Sequence, residues 1–184
     1  GIPGKMTSAN LLLNLAIGKF NGVEFIFSEI PKHILSGLVD AGLIIHEAQI
    51  SFGGEFQKIL ALGRCWHDLT NGMPLPLGIN VISKRSLTTE EILEFDELFR
   101  NSIKYGLEHL DDALEYSMQF GRGNSKSLIE KFVKMYVNDL TIDMGREGKN
   151  SIITLLQKAK DSNILSYDEL LFVDSNDQKI QRYH

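Results

Sequence analysis

The stretch DAGLIIHEAQ, residues 40–49, decides how the first half of the chain is interpreted. Its apolar run, residues 41–45, ends in a β-branched pair, which is typical of a short buried strand. His46 and then Glu47 follow this run at once. We therefore predict a strand that ends on an ionisable pair.

The segments around this strand predict an alternation of helices and strands. Turn residues precede an apolar helical stretch at 11–17, where Thr7 and Ser8 are suited to cap the helix. Residues 23–27 are typical of a strand, and residues 28–31 are expected to start a helix that runs to about Ser36 and stops at Gly37. The order helix, strand, helix, strand predicts a parallel α/β layer.

The second half of the chain has a different pattern. The segment MPLPLG, residues 73–78, contains two prolines and predicts an extended connector into a strand at 79–83. Thr88 and Glu91 form a capping box, and amphipathic helices are expected at about 89–105, 107–120, 124–138 and 145–162. Residues 165–184 are polar and are expected to fray. This helical half needs a sheet to pack on, so it looks incomplete.

The composition excludes several classes of protein. Of the 184 residues, 43% are hydrophobic and 23% are charged, which is ordinary for a globular domain. The net charge of −5 and the lack of a Lys/Arg cluster argue against a nucleic-acid surface. No apolar stretch approaches the roughly 20 residues that span a bilayer. The single cysteine, Cys65, excludes an internal disulfide and a cysteine-rich metal site, and suits a reducing compartment.

His46 is the first candidate for chemistry. Histidine moves protons near neutral pH, and ligands of open α/β sheets bind at the carboxyl ends of strands. Glu47 either orients His46 or lies on the opposite face of the strand. The alternative is that His46 only ends the strand and bonds to backbone.

The second candidate is an anion site at residues 4–9. A helix N-terminus presents free N–H groups and a positive dipole end, and Thr7 and Ser8 add hydroxyls. The alternative is a plain helix cap. Farther along, Trp66 is expected in the core and His67 on the surface, so a Cys65 nucleophile is not favoured. Asn138 lies near a helix end, from which it either reaches a cleft or has no role.

Four motifs taken together resemble a known family. GIPGKMTSANLLL, DAGLIIHEAQISF, GMPLPLGINVISK and MYVNDLTIDMGREG, in that order, are similar to the 1,4-dihydroxy-6-naphthoate synthases of the futalosine route to menaquinone. IIHE and PLPLG are the most specific segments. The sister enzyme, chorismate dehydratase, shares a similar D-A-G-L-I-I stretch but does not usually continue with H-E.

The resemblance implies a type II periplasmic-binding-protein-like fold, in which two α/β lobes surround a cleft. Residues 1–77 would form most of the second lobe, and residues 78–184 would supply the return crossover strand and helices of the first lobe. Family members carry roughly a hundred further residues ahead of this point, about the size of a small domain. The first lobe is therefore expected to be incomplete here, so that a missing N-terminal segment or a homo-oligomer completes the cleft.

The resemblance also implies a function. A lyase of this family converts cyclic dehypoxanthine futalosine to 1,4-dihydroxy-6-naphthoate, and the histidine of IIHE is its base, which is His46 here. Aromatisation drives the reaction, so neither metal nor redox cofactor is expected. Thr7, Ser8, Glu47, Asn80 and Asn138 are the expected contacts of a small carboxylated substrate, and the family implies the cytoplasm. The alternatives are a carboxylate-binding module without chemistry, an inactive fragment and the sister dehydratase.

Overall fold

The computed structural model describes residues 1–46, 49–50, 53–83, 85–121, 123–167 and 169–183. The described chain has a mixed α/β secondary structure. Its helices and strands are α1 Ser8–Ile17, α2 Ile30–Leu35, α3 Leu62–Thr70, α4 Thr89–Glu108, α5 Leu110–Ser117, α6 Lys126–Tyr136, α7 Asp139–Ile142, α8 Gly145–Asp161, β1 Leu170–Asp174 and β2 Lys179–Tyr183.

The chain divides into two compact units. Unit 1 comprises Gly1–Gly78 and Ser151–Ser166, and unit 2 comprises Ile79–Asn150 and Tyr167–His184. In unit 1 the side chains of Leu12, Trp66 and Leu155 form a buried cluster, which draws on α1, α3 and α8. Burial of the large indole and two leucines contributes to the apolar stabilisation of this unit.

Short extended segments of unit 1 pair in parallel. Ile2 forms a parallel bridge with Glu24, through hydrogen bonds of 2.9 and 3.0 Å to residues 23 and 25. Gly1 is bonded to residues 41–43 in the same manner, at 2.7 and 2.9 Å. Alternate residues of an extended chain direct their N–H and C=O groups to opposite sides. Segment 1–2 therefore lies between the other two, and the pairing has the predicted parallel direction.

The predicted strands themselves are not formed in the described residues. Residues 23–25 and 41–43 pair with Ile2 and Gly1, but neither segment has a further paired residue among those described, so no ladder develops. Residues 79–83 were predicted as a crossover strand and are instead exposed chain, with Val81 87% exposed. The prediction of these strands was wrong because apolar runs indicate strand propensity and do not supply a pairing partner.

The helices of the second half are close to their predicted positions. The Thr88 hydroxyl accepts from the Glu91 amide at 3.2 Å, and the Glu91 carboxylate accepts from the Thr88 amide at 2.7 Å, which completes the predicted capping box. The Ser125 hydroxyl accepts from the Leu128 amide at 3.3 Å and so caps α6. The short helix α7 was not predicted. In unit 2 the buried side chains include Ile92, Leu93, Leu114, Ile129 and Phe172.

A β-hairpin occupies the region that was expected to fray. Strands β1 and β2 pair antiparallel from Leu170 opposite Tyr183 to Asp174 opposite Lys179. Phe172 is 8% exposed and packs edge-on against Tyr183, with ring centroids 5.3 Å apart. The prediction of fraying was wrong because the polar residues of this hairpin have partners on distant helices.

Those partners form a polar network within unit 2. The Lys149 ammonium donates to the Asp174 carboxylate at 2.6 Å and to the Gln181 side-chain oxygen at 3.3 Å. The Asp96 carboxylate accepts from the Ser175 hydroxyl at 2.7 Å and from the Ser175 amide at 3.2 Å. Lys149 is only 5% exposed, so this pair ties the hairpin to α8 through a largely desolvated contact.

Acid is expected to weaken this attachment. The hydrogen bond from Lys149 holds the pKa of Asp174 below its ordinary value of 3.8. A carboxyl whose folded pKa is lowered stabilises the fold above its unfolded pKa, and the contribution disappears as the pH falls through the folded value. We expect Asp174→Asn to lower the free energy of unfolding in urea at pH 7, and the difference from the original chain to shrink below pH 3.8. A difference that stays constant with pH would contradict this.

Candidate functional site

His46 lies at a bend directly after the extended residues 41–45 of unit 1. It is 9% exposed, and its ring lies 5.6 Å from the ring of Phe27, centroid to centroid, at an angle of 54°. Its carbonyl accepts a hydrogen bond from the Gln49 amide at 3.0 Å. The structure thus gives His46 a largely buried position at the carboxyl end of an extended segment. Its role as a base stays a prediction.

Glu47 lies outside the described residues. The two predicted roles for this carboxylate, to orient His46 or to face away from it, therefore both stay predictions.

Thr7 is the N-cap of α1. Its hydroxyl donates to the Gly4 carbonyl at 2.9 Å and accepts from the Asn10 amide at 3.1 Å. A hydroxyl has a single proton to donate. The prediction that Thr7 caps the helix is confirmed, and in this arrangement its proton is already shared with a backbone carbonyl.

Ser8 makes a longer-range contact. Its hydroxyl donates to the carbonyl of Leu77, which lies 69 residues away in the sequence. The oxygen of Ser8 therefore presents only lone pairs, and its donation to a carboxylate would require the hydroxyl to leave Leu77. The assignment of Thr7 and Ser8 to substrate binding stays a prediction.

The two predicted asparagines lie in unit 2. Asn80 is exposed within residues 79–83, which form neither helix nor strand. Asn138 is the N-cap of α7, where its side-chain oxygen accepts from the Leu140 amide at 3.0 Å. Capping explains the residue type at 138 without a ligand. Substrate contact by either residue stays a prediction.

Helix α3 carries the Cys65-Trp66-His67 triplet. As predicted, Trp66 is buried at 1% exposure, while the His67 side chain is 69% exposed. Cys65 lines an apolar groove of about 230 Å³ together with Leu12 and Leu69. In the described parts of the chain, no group of three His, Cys, Asp or Glu side chains is arranged to hold a metal ion.

Sequence reasoning missed one polar junction in unit 1. The indole N–H of Trp66 donates to the Pro74 carbonyl at 2.9 Å, and the Ser151 hydroxyl donates to the same oxygen. The available signal was a serine on the apolar stripe of α8, followed one and four residues later by the buried Ile152 and Leu155. A hydroxyl at such a position needs a buried acceptor.

The fold and the site define a mixed α/β protein with a largely buried histidine after an extended segment. Residues 1–161 match the family model described as menaquinone biosynthesis, and the chain belongs to this family. Across residues 1–46, 49–50, 53–83, 85–121, 123–167 and 169–183, no helix is long and apolar enough to cross a membrane.

Two relatives carry the name 1,4-dihydroxy-6-naphthoate synthase. The chain is 34% identical to the Thermus thermophilus protein over 160 residues and 29% identical to the Streptomyces coelicolor protein over 167 residues. Each match covers 86% of this chain and 58% of the relative. The chain therefore spans less than two thirds of the length of these relatives.

A solved structure supports the same relationship. The crystal structure of a protein from Archaeoglobus fulgidus is similar to this chain with a TM-score of 0.83 and 38% sequence identity. The similarity covers 89% of this chain and 62% of the other. A related protein therefore shares the fold over most of this chain.

Proposed function

We propose that the chain acts in a lyase that converts cyclic dehypoxanthine futalosine to 1,4-dihydroxy-6-naphthoate in menaquinone biosynthesis. The observation that carries this proposal is the 34% identity over 160 residues to the Thermus thermophilus protein of that name. The family match over residues 1–161 includes His46 and both hydroxyls at the start of α1.

In this proposal His46 is the general base. It removes a proton from the substrate, and the electron pair left behind drives cleavage of the carbon–carbon bond to the sugar-derived arm. The arm leaves as a three-carbon fragment, and the bicycle becomes aromatic. The burial of His46 beside Phe27 supports this role, because a base that is shielded from bulk water transfers protons to a bound substrate without competition.

Substrate binding is assigned to five polar residues, Thr7, Ser8, Glu47, Asn80 and Asn138. The first turn of α1 supports an anionic substrate group near Thr7 and Ser8, because a helix N-terminus carries a partial positive charge. The substrate class is a small carboxylated bicycle, and the place of action is the cytoplasm.

The proposal includes a type II periplasmic-binding-protein-like fold, in which residues 1–77 belong to one lobe and residues 78–184 to the other. The parallel pairing of segments 1–2, 23–25 and 41–43 supports an α/β lobe for the first of these. A second copy or a further segment of chain would complete the cleft.

The direct test is to supply the 184-residue chain with cyclic dehypoxanthine futalosine. We expect 1,4-dihydroxy-6-naphthoate and a three-carbon product to form in equal amounts, detected by mass spectrometry. Chorismate, supplied in a parallel reaction, should remain unchanged. Consumption of chorismate alone would overturn the proposal in favour of the sister dehydratase. Tight carboxylate binding by calorimetry, without any product, would overturn it in favour of a binding module.

A further inference from the structure

The segment at residues 73–78 is short of hydrogen-bond donors. Pro74 and Pro76 have no backbone N–H, so this stretch cannot be held by a regular ladder. Its carbonyl groups remain available as acceptors. Side-chain donors from other parts of unit 1 bond two of them, at Pro74 and Leu77.

The Pro74 carbonyl is the more heavily bonded of the two. It accepts from the Trp66 indole at 2.9 Å and from the Ser151 hydroxyl. Both donors belong to residues that are only 1% exposed, so neither can exchange its partner for water at low cost. Ser151 reaches across 77 residues of sequence, although a helical serine usually bonds a carbonyl of its own helix.

The Leu77 carbonyl connects this segment to the start of α1. It accepts a hydrogen bond from the Ser8 hydroxyl. Leu77 lies three residues after Pro74, whose carbonyl accepts two hydrogen bonds. The orientation of the Ser8 hydroxyl therefore depends on where the segment places Leu77. The chain of contacts runs from α8 and α3, through residues 74–77, to the first helical residue of α1.

We infer that Ser151 and Trp66 are positioning residues, which hold residues 74–77 so that the Leu77 carbonyl keeps the Ser8 proton until a substrate carboxylate takes its place. This inference rests on the proposed function, in which Ser8 contacts the substrate carboxylate. Neither residue is assigned to touch the substrate. Both act through the backbone of the proline-containing segment.

Hydrogen exchange in the full 184-residue chain tests whether Ser151 and Trp66 hold residues 74–77 in place. Ser151→Ala should speed exchange of the Trp66 indole N–H, which bonds the same Pro74 carbonyl, by about 2- to 10-fold, the loss that one hydrogen bond implies. Ser151→Thr retains the hydroxyl and should restore slow exchange. Ser117→Ala is the matched control, because that hydroxyl donates to the Ala113 carbonyl of its own helix.

Steady-state kinetics with cyclic dehypoxanthine futalosine tests the functional part. Ser151→Ala should lower KM by about 3- to 10-fold and leave kcat within about 2-fold, because the Ser8 proton is freed for the substrate carboxylate while the base is untouched. Ser151→Thr should restore KM. The inference would be overturned if Ser151→Ala left hydrogen exchange unchanged, or if Ser117→Ala had an equal effect. It would also be overturned if Ser151→Ala sped exchange but left KM unchanged. If the original chain forms no product, the proposed function fails, and the exchange data alone decide whether Ser151 and Trp66 hold the segment.

Discussion

Replacement of His46 with glutamine is expected to lower kcat by about 10²- to 10⁴-fold, the usual contribution of a positioned general base. Glutamine is similar in length and remains polar, but it cannot take up a proton at neutral pH. The packing of the residue against Phe27 should be largely retained. The measurement is the initial rate of naphthoate formation at saturating substrate, with the thermal midpoint recorded for each variant.

His67→Gln is the matched control for this prediction. It makes the same chemical change at a side chain that is 69% exposed, and it should leave kcat within about 2-fold, as surface substitutions usually do. Added imidazole should recover part of the rate in a His46→Gly variant if His46 transfers a proton. A His46→Gln protein that keeps both the thermal unfolding midpoint and the full rate of naphthoate formation would show that the base is another group.

Replacement of Lys149 with methionine is expected to lower the free energy of unfolding by about 3–5 kcal/mol, the usual cost of breaking a buried ion pair from one side. The Lys149 and Asp174 side chains are 7% and 17% exposed, and their charged atoms are 2.6 Å apart. Without the ammonium, the carboxylate of Asp174 would remain poorly solvated with no cation at this distance. Urea unfolding followed by far-UV circular dichroism would measure the loss.

A double variant separates the pair from the packing around it. Lys149→Met with Asp174→Leu should recover most of the lost stability, because an apolar pair of similar volume avoids the desolvation cost of both charges. Lys134→Met is the control, because its ion pair with Glu130 is exposed and should contribute about 0–1 kcal/mol. Equal losses for Lys149→Met and Lys134→Met would show that burial does not determine the effect.

Local signals in the sequence predicted the helices well. The capping box at Thr88 and Glu91 identified the start of α4, since both partners lie within one turn. The prediction of the strands was wrong because each strand needs a pairing partner, which no local sequence pattern specifies. The hairpin was not predicted for a related reason. Lys149 bonds Asp174 on β1 from 25 residues away, and Asp96 bonds Ser175 in the adjoining turn from 79 residues away.

The same limit applies to the candidate site. His46 was identified because an ionisable residue directly after an apolar run is visible in the sequence. The proton of Ser8 was assigned to a substrate carboxylate, whereas in the structure it is shared with Leu77, a contact across 69 residues that spacing cannot reveal. Ser151 was not identified from the sequence because a single serine in the apolar stripe of a helix is common. Its acceptor, the Pro74 carbonyl, belongs to a loop that is distant in the sequence.

The link between Asp96 and Ser175 has a consequence for the chain during its synthesis. The two residues are 79 positions apart. At about 5–20 residues per second, a ribosome adds Ser175 some 4–16 s after Asp96. Through that interval Ile92 and Leu93, neighbours of Asp96 on α4, are in a nascent chain that still lacks β1. Helix α4 therefore gains its bonds to the Ser175 hydroxyl and amide only after that interval.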